Sequence, residues 1–217
     1  MRLDYLRDPE EIYRRSFAAV RAEADLAGLP EDIAALAVRL VHACGMPEIV
    51  ADLAWDGDPV AAGRAALGAG GAVMTDSAMV ASGVSRRRLG ADTTVSCMLD
   101  DEAVPARAAQ LGTTRSAAAI DLRAPALGGA VVAIGNAPTA LFRLIERLGE
   151  GVARPAVILA FPVGFIGAVE SKQALIDANL GVPYLTLRGR RGGSALAAAA
   201  VNALAGAPAG ALAGKEG

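Results

Sequence analysis

The sequence predicts an α/β protein of three layers, in which helices cover both faces of a mostly parallel sheet. Five short runs are apolar or rich in strand-forming residues and lack the alternation of a half-exposed strand, which is typical of strands buried on both faces. Segments with helical periodicity separate most of these runs, and the order strand, helix, strand is the unit of a parallel sheet. Two helical segments precede the first run, so we expect an N-terminal helical pair ahead of the sheet.

The chain has 217 residues, which is enough for one domain with a large core. We expect a single domain over residues 1–217, because no stretch has the length and composition of an interdomain linker. The tail from Ala195 is rich in alanine and glycine, and we expect a buried helix there, followed by a frayed end after about residue 206.

Start and stop signals define the helical pair. Asp8 is suited to cap a first helix that has Pro9 in its first turn, covers residues 10–27 and closes at Gly28. A second helix is predicted over residues 31–44, because Pro30 precedes it and Gly45 follows it.

The later segments supply the sheet and its covering helices. Strands are predicted at residues 72–75, 93–98, 130–134, 156–161 and 183–187, and helices most clearly at 138–148, 168–178 and 194–205. The carboxyl ends of parallel strands share one edge of a sheet, where ligands commonly bind. Three loops reach that edge: IGNAPT at 134–139, FPVGFIGAVESK at 161–172 and RGRRGGSA at 188–195.

We expect Asn136 of the first loop to cap the helix that follows it. Glycine, proline and asparagine are also ordinary turn residues, so each of the three loops is either a ligand-binding loop or a simple connection.

The balance of charge limits the classes of partner. A formal net charge of −2 argues against the broad positive surface on which nucleic-acid binding depends. Arginine greatly outnumbers lysine and clusters at 86–88 and 188–191. Codon bias explains such an excess, and so does recognition of carboxylates by bidentate guanidinium groups; the two explanations are compatible.

Cysteine usage and hydropathy bear on the compartment. Cys44 and Cys97 do not form a metal-binding spacing, and a chain of this size needs no disulfide. The first 15 residues lack the apolar stretch of a signal peptide, and residues 195–213 are mostly alanine and glycine where a membrane span needs strongly apolar side chains. We therefore expect a cytoplasmic protein without a membrane segment.

His42 is the only histidine of the chain. Helical spacing places Ile33, Leu36 and Leu40 on the core face of the second helix, and it points His42 almost the opposite way, beside Arg39. The surrounding face is too apolar for solvent, which indicates that a ligand, a partner subunit or a loop covers it. A lone histidine is commonly structural. It is also the usual acid and base of enzymes, and a position near a helix C-terminus favours the protonated ring.

Two kinds of site are weakened by missing patterns. One histidine without a neighbouring histidine or cysteine does not make a transition-metal site, so we expect no metal. Glycine-rich phosphate loops of the types G-x-G-x-x-G after a strand and G-K-[ST] are also missing, which argues against a nucleotide cofactor.

Longer motifs carry a resemblance to one family. They are IYRRSF at 12–17, VRLVHACG at 38–45, GTTRSAAA at 112–119, VVAIGNAPTALF at 131–142, PVGFIGAVESK at 162–172 and VPYLTLRGRRGGSA at 182–195. Together they span nearly the whole chain, and in this order the sequence closely resembles the precorrin-8X methylmutase family.

The resemblance implies an isomerase of cobalamin biosynthesis that moves a methyl group from C-11 to C-12 of precorrin-8X. The product is hydrogenobyrinic acid or its cobalt-containing counterpart, and no cofactor is used. Members of the family are cytoplasmic homodimers with the pocket near the subunit interface. Their partner is a corrinoid polycarboxylate, and transient contact with neighbouring pathway enzymes is a further expectation.

The resemblance also implies roles for particular residues of this chain. The catalytic residue is His42, the proton donor or acceptor. It implies substrate contacts at Ser16, Arg39 and Arg115, which lie in the matching motifs, and further substrate contacts at Asn136, Thr75, Asp76 and Ser77.

Two alternatives remain open at this point. A nucleotide-dependent α/β enzyme would show a thermal shift with nicotinamide or adenine nucleotides. A non-catalytic corrinoid carrier would use the same arginines and loops without needing His42, and it would bind the corrinoid without turnover.

Overall fold

Six strands form the central sheet of the computed structural model, which describes residues 3–206. In chain order they are β1 Leu53–Asp56, β2 Val73–Thr75, β3 Val95–Cys97, β4 Val131–Ile134, β5 Val157–Ala160 and β6 Tyr184–Leu187. Their order across the sheet is β1-β6-β5-β4-β2-β3. All neighbouring pairs are parallel except β1 with β6, which confirms the predicted, mostly parallel sheet.

Nine helices lie within the described residues. They are α1 Pro9–Glu23, α2 Glu31–Cys44, α3 Pro59–Gly68, α4 Ala78–Gly83, α5 Val104–Leu111, α6 Arg115–Arg123, α7 Pro138–Gly149, α8 Ala168–Asp177 and α9 Ser194–Leu204. Buried residues of α2, α3, α4 and α9 pack in a hydrophobic cluster on one face of the sheet. Those of α5, α6, α7 and α8 pack in a second cluster on the other face. The three-layer α/β/α prediction is therefore confirmed.

Strand β4 shows why the sheet needs both layers. Val131 and Ala133 belong to the first cluster, whereas Val132 and Ile134 belong to the second. Successive side chains of a strand point to opposite faces, so a strand that is apolar throughout is stable only when both faces are covered. All four residues are fully buried.

The N-terminal helical pair is present, with one boundary corrected. The Asp8 carboxylate accepts hydrogen bonds from the amides of Glu10 and Glu11, as a capping residue should. The first helix ends at Glu23 and not at residue 27. Its early end has a local cause: the Asp25 side chain accepts a hydrogen bond from the amide of Ala27 and so stabilises a turn.

Helix α2 has the predicted bounds, and Gly45 ends it in the left-handed conformation with φ of 70°. Its core face is also as predicted, because Ile33, Leu36 and Leu40 are buried. His42 is left on the exposed side of the helix. The helix thus delivers the imidazole to the outer surface of the first helical layer.

The sequence prediction omitted strand β1 and helices α3 to α6. Strand β1 is a short antiparallel edge strand that ends in the exposed Asp56, so it lacks the apolar run of a buried strand. The omitted helices have 6 to 10 residues. Such short segments give a weak periodic signal.

The predicted frayed end after residue 206 lies outside the described residues. Between residues 3 and 206, every helix is too short or too polar to cross a lipid bilayer.

Candidate active site

The His42 side chain is held by helix α1, which packs across α2. The Nδ1 atom of His42 lies 2.8 Å from Oγ of Ser16. The ring of Phe17 lies against the imidazole with centroids 4.9 Å apart, and the ring of Tyr13 meets it edge-on at 5.9 Å. Helix α1 therefore covers part of the apolar face of α2, where the sequence indicated a ligand, a partner subunit or a loop, and the imidazole stays exposed.

A cavity of about 220 Å³ opens beside the imidazole. The residues around it combine aromatic rings, guanidinium groups and small side chains: Tyr13, Phe17, Arg39, His42, Ala43, Ser85, Arg88, Ala199 and Asn202. Nη1 of Arg39 donates a hydrogen bond of 3.0 Å to the Tyr13 hydroxyl, and its guanidinium carbon lies 5.6 Å from the centre of the Phe17 ring. We call this space the arginine cavity.

One wall of the arginine cavity is held in place by Asn202 of α9. Its Oδ1 accepts a hydrogen bond of 2.8 Å from the amide of Ser85, and its Nδ2 donates one of 2.9 Å to the carbonyl of Gly83. Arg88 is anchored nearby, because Nη1 donates to the carbonyl of Gly206. These contacts join α9 to the segment after α4 and leave the half-buried Arg88 on the cavity wall.

A second cavity of about 170 Å³ lies on another side of the same imidazole. It is lined by Ser16, Ala19, Val20, Glu23, Val41, His42, Gly45 and Pro47. His42 lines both spaces and so forms part of the wall between them. We call this space the serine cavity.

Sequence reasoning missed several residues of the arginine cavity, namely Tyr13, Phe17, Arg88 and Asn202. Tyr13 and Phe17 belong to the same IYRRSF motif as Ser16. They are four residues apart, which places them on one face of a helix. That spacing was a usable signal. Asn202 gave none, because its partners Gly83 and Ser85 are more than 110 residues away along the chain.

Asp76 lies at the carboxyl edge of the sheet and is almost completely buried. Its carboxylate accepts hydrogen bonds of 2.9, 2.8 and 2.7 Å from the amides of Gly135, Asn136 and Ala137. Burial raises the pKa of the Asp76 carboxyl, and the three amides oppose that rise because they stabilise the charged form. Asp76 thus holds the IGNAPT loop in place.

The prediction that Asn136 caps the next helix is wrong. Helix α7 begins at Pro138, its capping position is Ala137, and the Asp76 carboxylate binds the loop amides instead. The buried Asp76 carboxylate accepts the hydrogen bonds of the loop amides. The exposed Asn136 side chain therefore does not cap the helix.

Thr75 and Ser77 also make local hydrogen bonds at this edge. The buried Thr75 hydroxyl lies 3.1 Å from the carbonyls of Ser77 and Ser96. The Ser77 hydroxyl accepts a bond from the amide of Val80 and so caps α4, and it lies 3.4 Å from the Ser194 hydroxyl at the start of α9. Both side chains secure the ends of elements around the sheet edge.

Arg115 begins helix α6 behind the capping residue Thr114. It is exposed. Helix α6 packs on the second hydrophobic cluster, whereas the helix that carries His42 packs on the first. The candidate residues therefore fall in three places: His42 with Arg39 at the arginine cavity and Ser16 at the adjoining serine cavity, Thr75, Asp76, Ser77 and Asn136 at the sheet edge, and Arg115 in the opposite helical layer.

The two other loops at the sheet edge are tied to each other. The amide of Gly193 donates to the carbonyl of Phe161, and the amide of Gly164 donates to the carbonyl of Arg190. Gly192 is required by packing, because a Cβ there would overlap the carbonyls of Phe161 and Pro162.

A buried lysine reinforces this loop pair. Nζ of Lys172 donates a hydrogen bond of 2.6 Å to the carbonyl of Arg191, and burial lowers the pKa of Lys172 from 10.5 to about 8. Phe165 and Ile166 project from the same loops, 87% and 90% exposed, with the Arg190 guanidinium over the Phe165 ring. Their exposure is far above what apolar side chains adopt in a core.

No cluster of three or more His, Cys, Asp or Glu side chains within residues 3–206 is arranged to hold a metal ion. What the arginine cavity offers is an imidazole, two guanidinium groups and aromatic walls. Together with the three-layer fold, these groups define an α/β protein with a site for an anionic, partly apolar small molecule.

Comparison with known proteins identifies the family to which this α/β protein belongs. The family model described as precorrin-8X methylmutase matches residues 11–207. The precorrin-8X methylmutase of Pseudomonas aeruginosa is 58% identical over 203 residues, which cover 94% of this chain and 98% of that protein. The cobalt-precorrin-8 methylmutase of Priestia megaterium is 34% identical over 199 residues, covering 90% and 87%. A solved structure of the precorrin-8X methylmutase from Thermus thermophilus superposes with a TM-score of 0.81 at 36% identity, covering 89% of this chain and 95% of that one.

The chain therefore belongs to the precorrin-8X methylmutase family, as the sequence motifs predicted. It is a methylmutase, an isomerase of cobalamin biosynthesis that acts on a corrinoid intermediate. This finding replaces the alternatives of a nucleotide-dependent enzyme and of a non-catalytic carrier.

Proposed function

We propose that this enzyme moves a methyl group from C-11 to C-12 of precorrin-8X to give hydrogenobyrinic acid, with His42 as proton donor and acceptor. The observation that carries the proposal is the exposed imidazole on the wall of the arginine cavity, in van der Waals reach of aromatic rings. A metal-free substrate is favoured because the Pseudomonas aeruginosa relative, named for precorrin-8X, is 58% identical, whereas the Priestia megaterium relative, named for the cobalt form, is 34% identical.

The chemistry needs orientation and one proton. A protonated imidazole donates its proton to a basic atom of the bound macrocycle, which makes the ring system electron-poor. The bond from the methyl carbon to C-11 then breaks, and its electron pair forms the bond to C-12. The neutral imidazole takes the proton back, so the isomerisation consumes no co-reactant.

The substrate carries acetate and propionate groups on a flat apolar ring, and the arginine cavity matches that chemistry. Arg39 and Arg88 present guanidinium groups that bind carboxylates, and Tyr13 and Phe17 offer flat apolar surfaces to the ring. Both features occur within one chain, next to the proton-handling residue.

The sheet-edge residues have a second kind of role in this proposal. Asn136 is exposed and Ser77 is half-buried, so their side chains are accessible for direct contact with the substrate. Thr75 and Asp76 act through the loops that they fix, because both are buried and engaged by backbone groups.

The active enzyme is a homodimer in this proposal, and the partner subunit completes the site. The arginine cavity measures about 220 Å³, below the roughly 300 to 1,000 Å³ of typical small-molecule pockets. Arg115 lies in the opposite helical layer from His42. A second copy of the chain brings an Arg115 to each His42 and walls in the macrocycle.

Sedimentation at micromolar concentration tests the dimer, and a monomer there would contradict it. A subunit-mixing experiment tests the shared site. His42→Ala and Arg115→Ala subunits are mixed, and each mixed dimer has one site in which both residues are intact, so about a quarter of all sites recover under random pairing. A mixture of His42→Ala and Arg39→Ala is the control, because both residues serve the same subunit's site and every site stays defective.

The reaction itself is tested with precorrin-8X that carries a carbon-13 label in the C-11 methyl group. We expect the absorption spectrum to change to that of the product and the labelled methyl signal to appear at C-12. A labelled methyl that stays on C-11 after incubation with the pure enzyme would disprove the proposed shift.

We expect the enzyme to act in the cytoplasm and to contact the next pathway enzyme transiently as it hands over its product. Cys44 and Cys97 are both free thiols, which suits a reducing compartment. Fractionation of cells that produce the protein, with a cytoplasmic marker as reference, tests the location.

A further inference from the structure

Ser16 and Arg39 line different cavities beside His42. Among the described residues, Ser16 lines the serine cavity and not the arginine cavity, whereas Arg39 lines the arginine cavity and not the serine cavity. The Ser16 hydroxyl is 2.8 Å from Nδ1 of His42. The contact of Ser16 with the imidazole therefore lies on the side of the serine cavity, and the arginines line the other cavity.

We propose that Ser16 is a positioning residue that acts through its hydrogen bond to His42. Its Oγ accepts a hydrogen bond from Nδ1–H, so that Nε2 is the nitrogen presented to the arginine cavity and the one that exchanges the proton. This inference rests on the proposed function, in which His42 handles the proton.

The same hydrogen bond persists through the proton transfer. In the imidazolium both nitrogens carry hydrogen, and Nδ1–H donates to Ser16. When Nε2–H gives its proton to the substrate, the electron pair of that bond stays on Nε2, and Nδ1 keeps its hydrogen and its partner. The return of the proton to Nε2 restores the imidazolium, so the Ser16 hydroxyl never has to change from acceptor to donor.

Helix α1 makes the arrangement rigid. Ser16 and Phe17 are adjacent on it, and Tyr13 lies one turn earlier. Phe17 lies against the imidazole at an interplanar angle of 34°, and Tyr13 meets it edge-on, so rotation of the ring about its bond to Cβ is restricted. The aromatic contacts set the plane of the ring, and the Ser16 hydroxyl selects which nitrogen faces which cavity.

The single histidine makes this testable without substrate. Protein labelled with nitrogen-15 histidine gives signals from one imidazole, and their shifts distinguish the two neutral tautomers. We expect the Nδ1–H tautomer in the wild type and in Ser16→Thr, which keeps the hydroxyl. Ser16→Ala should lose this preference, and Ser82→Ala, which removes an exposed hydroxyl from α4, should not. The Nε2–H tautomer in the wild type, or identical spectra for wild type and Ser16→Ala, would overturn the proposal.

Kinetics separate a positioning residue from a substrate contact. Ser16→Ala should lower kcat by roughly 10- to 100-fold, the effect of misplacing a reacting group by about an ångström, with KM nearly unchanged and with rescue in Ser16→Thr. A raised KM at unchanged kcat would make Ser16 a substrate contact and refute the inference. If His42→Ala retains full turnover, the proposed function fails, and the tautomer measurement still decides whether Ser16 orients the ring.

Discussion

Asp76 and His42 are both polar candidate residues, and the structure uses them in opposite ways. Asp76 is 1% exposed, and three backbone amides occupy its carboxylate. His42 is exposed, and among the described residues one of its two nitrogens has a hydrogen-bond partner. A polar group that is buried and saturated fixes a loop, whereas an exposed, half-satisfied group at a cavity has capacity left for chemistry.

The sharpest test of this comparison is His42→Ala. We expect the variant to fold and to bind the corrinoid, because the arginines remain, and we expect turnover to fall by roughly 10²- to 10⁴-fold, the usual contribution of a general acid. Single-turnover absorbance of bound substrate measures it.

The pH profile of the same reaction adds a second criterion for His42. The wild-type rate should decline as the pH rises, because the protonated imidazole is the proton donor, and the variant should lose that dependence. Equal turnover rates in wild type and variant, or the same pH dependence in both, would show that His42 lines the cavity without taking part in proton transfer.

For Asp76→Ala the expected effect is on stability. The substitution leaves the amides of Gly135, Asn136 and Ala137 without their acceptor, which should lower the free energy of unfolding by about 3 to 4 kcal/mol. Urea denaturation measures the loss. The control is Asp56→Ala, which removes an exposed carboxylate and should change the free energy of unfolding by less than about 0.5 kcal/mol. Equal losses in both variants would show that Asp76 does not hold the loop.

Lys172 is a second buried polar group, and its effect on stability should depend on pH. Its pKa is about 8 in the folded protein against an ordinary value of 10.5, so between these values the unfolded chain binds more protons than the folded one. Stability should therefore rise with pH in this interval, and the part due to Lys172 amounts to about 2 to 3 kcal/mol.

Urea denaturation at about pH 7.5 and about pH 10 isolates this part, because Lys172→Met removes the titrating group. The stability difference between wild type and variant should shift in favour of the wild type at the higher pH. Parallel pH dependence in both proteins would mean that Lys172 titrates as an exposed lysine does.

The smallest expected effect concerns Arg115. Replacement by alanine should weaken corrinoid binding by about 1.5 to 3 kcal/mol, the value of a charge-assisted hydrogen bond. Arg115→Lys should recover part of it, because the charge is kept and the guanidinium fork is lost. Arg64→Ala, which removes an exposed arginine from α3, serves as control. Titration of each variant with corrinoid gives the affinities, and unchanged affinity in both Arg115 variants would exclude a substrate contact.

Prediction from sequence succeeded where the signal was local. The bounds of α2, the buried side of that helix and the five predicted strands all follow from periodicity and from residues such as Gly45. Prediction failed for Asn136, because the group that binds the loop amides, Asp76, is 60 residues away in sequence. It also failed for β1, because that strand is held by pairing with the distant β6.

The sequence by itself determined the α/β class, the helical pair, the outward direction of His42 and the family. These depend on neighbouring residues or on long motifs that need no knowledge of the fold. Only the tertiary structure decided which motif residues meet: it joined Ser16 to His42 across 26 residues, saturated Asp76 with amides of another loop, and put Arg115 in the opposite helical layer. The physical reason is that such contacts form when distant segments pack on the two faces of one sheet, and periodicity along the chain does not specify that packing.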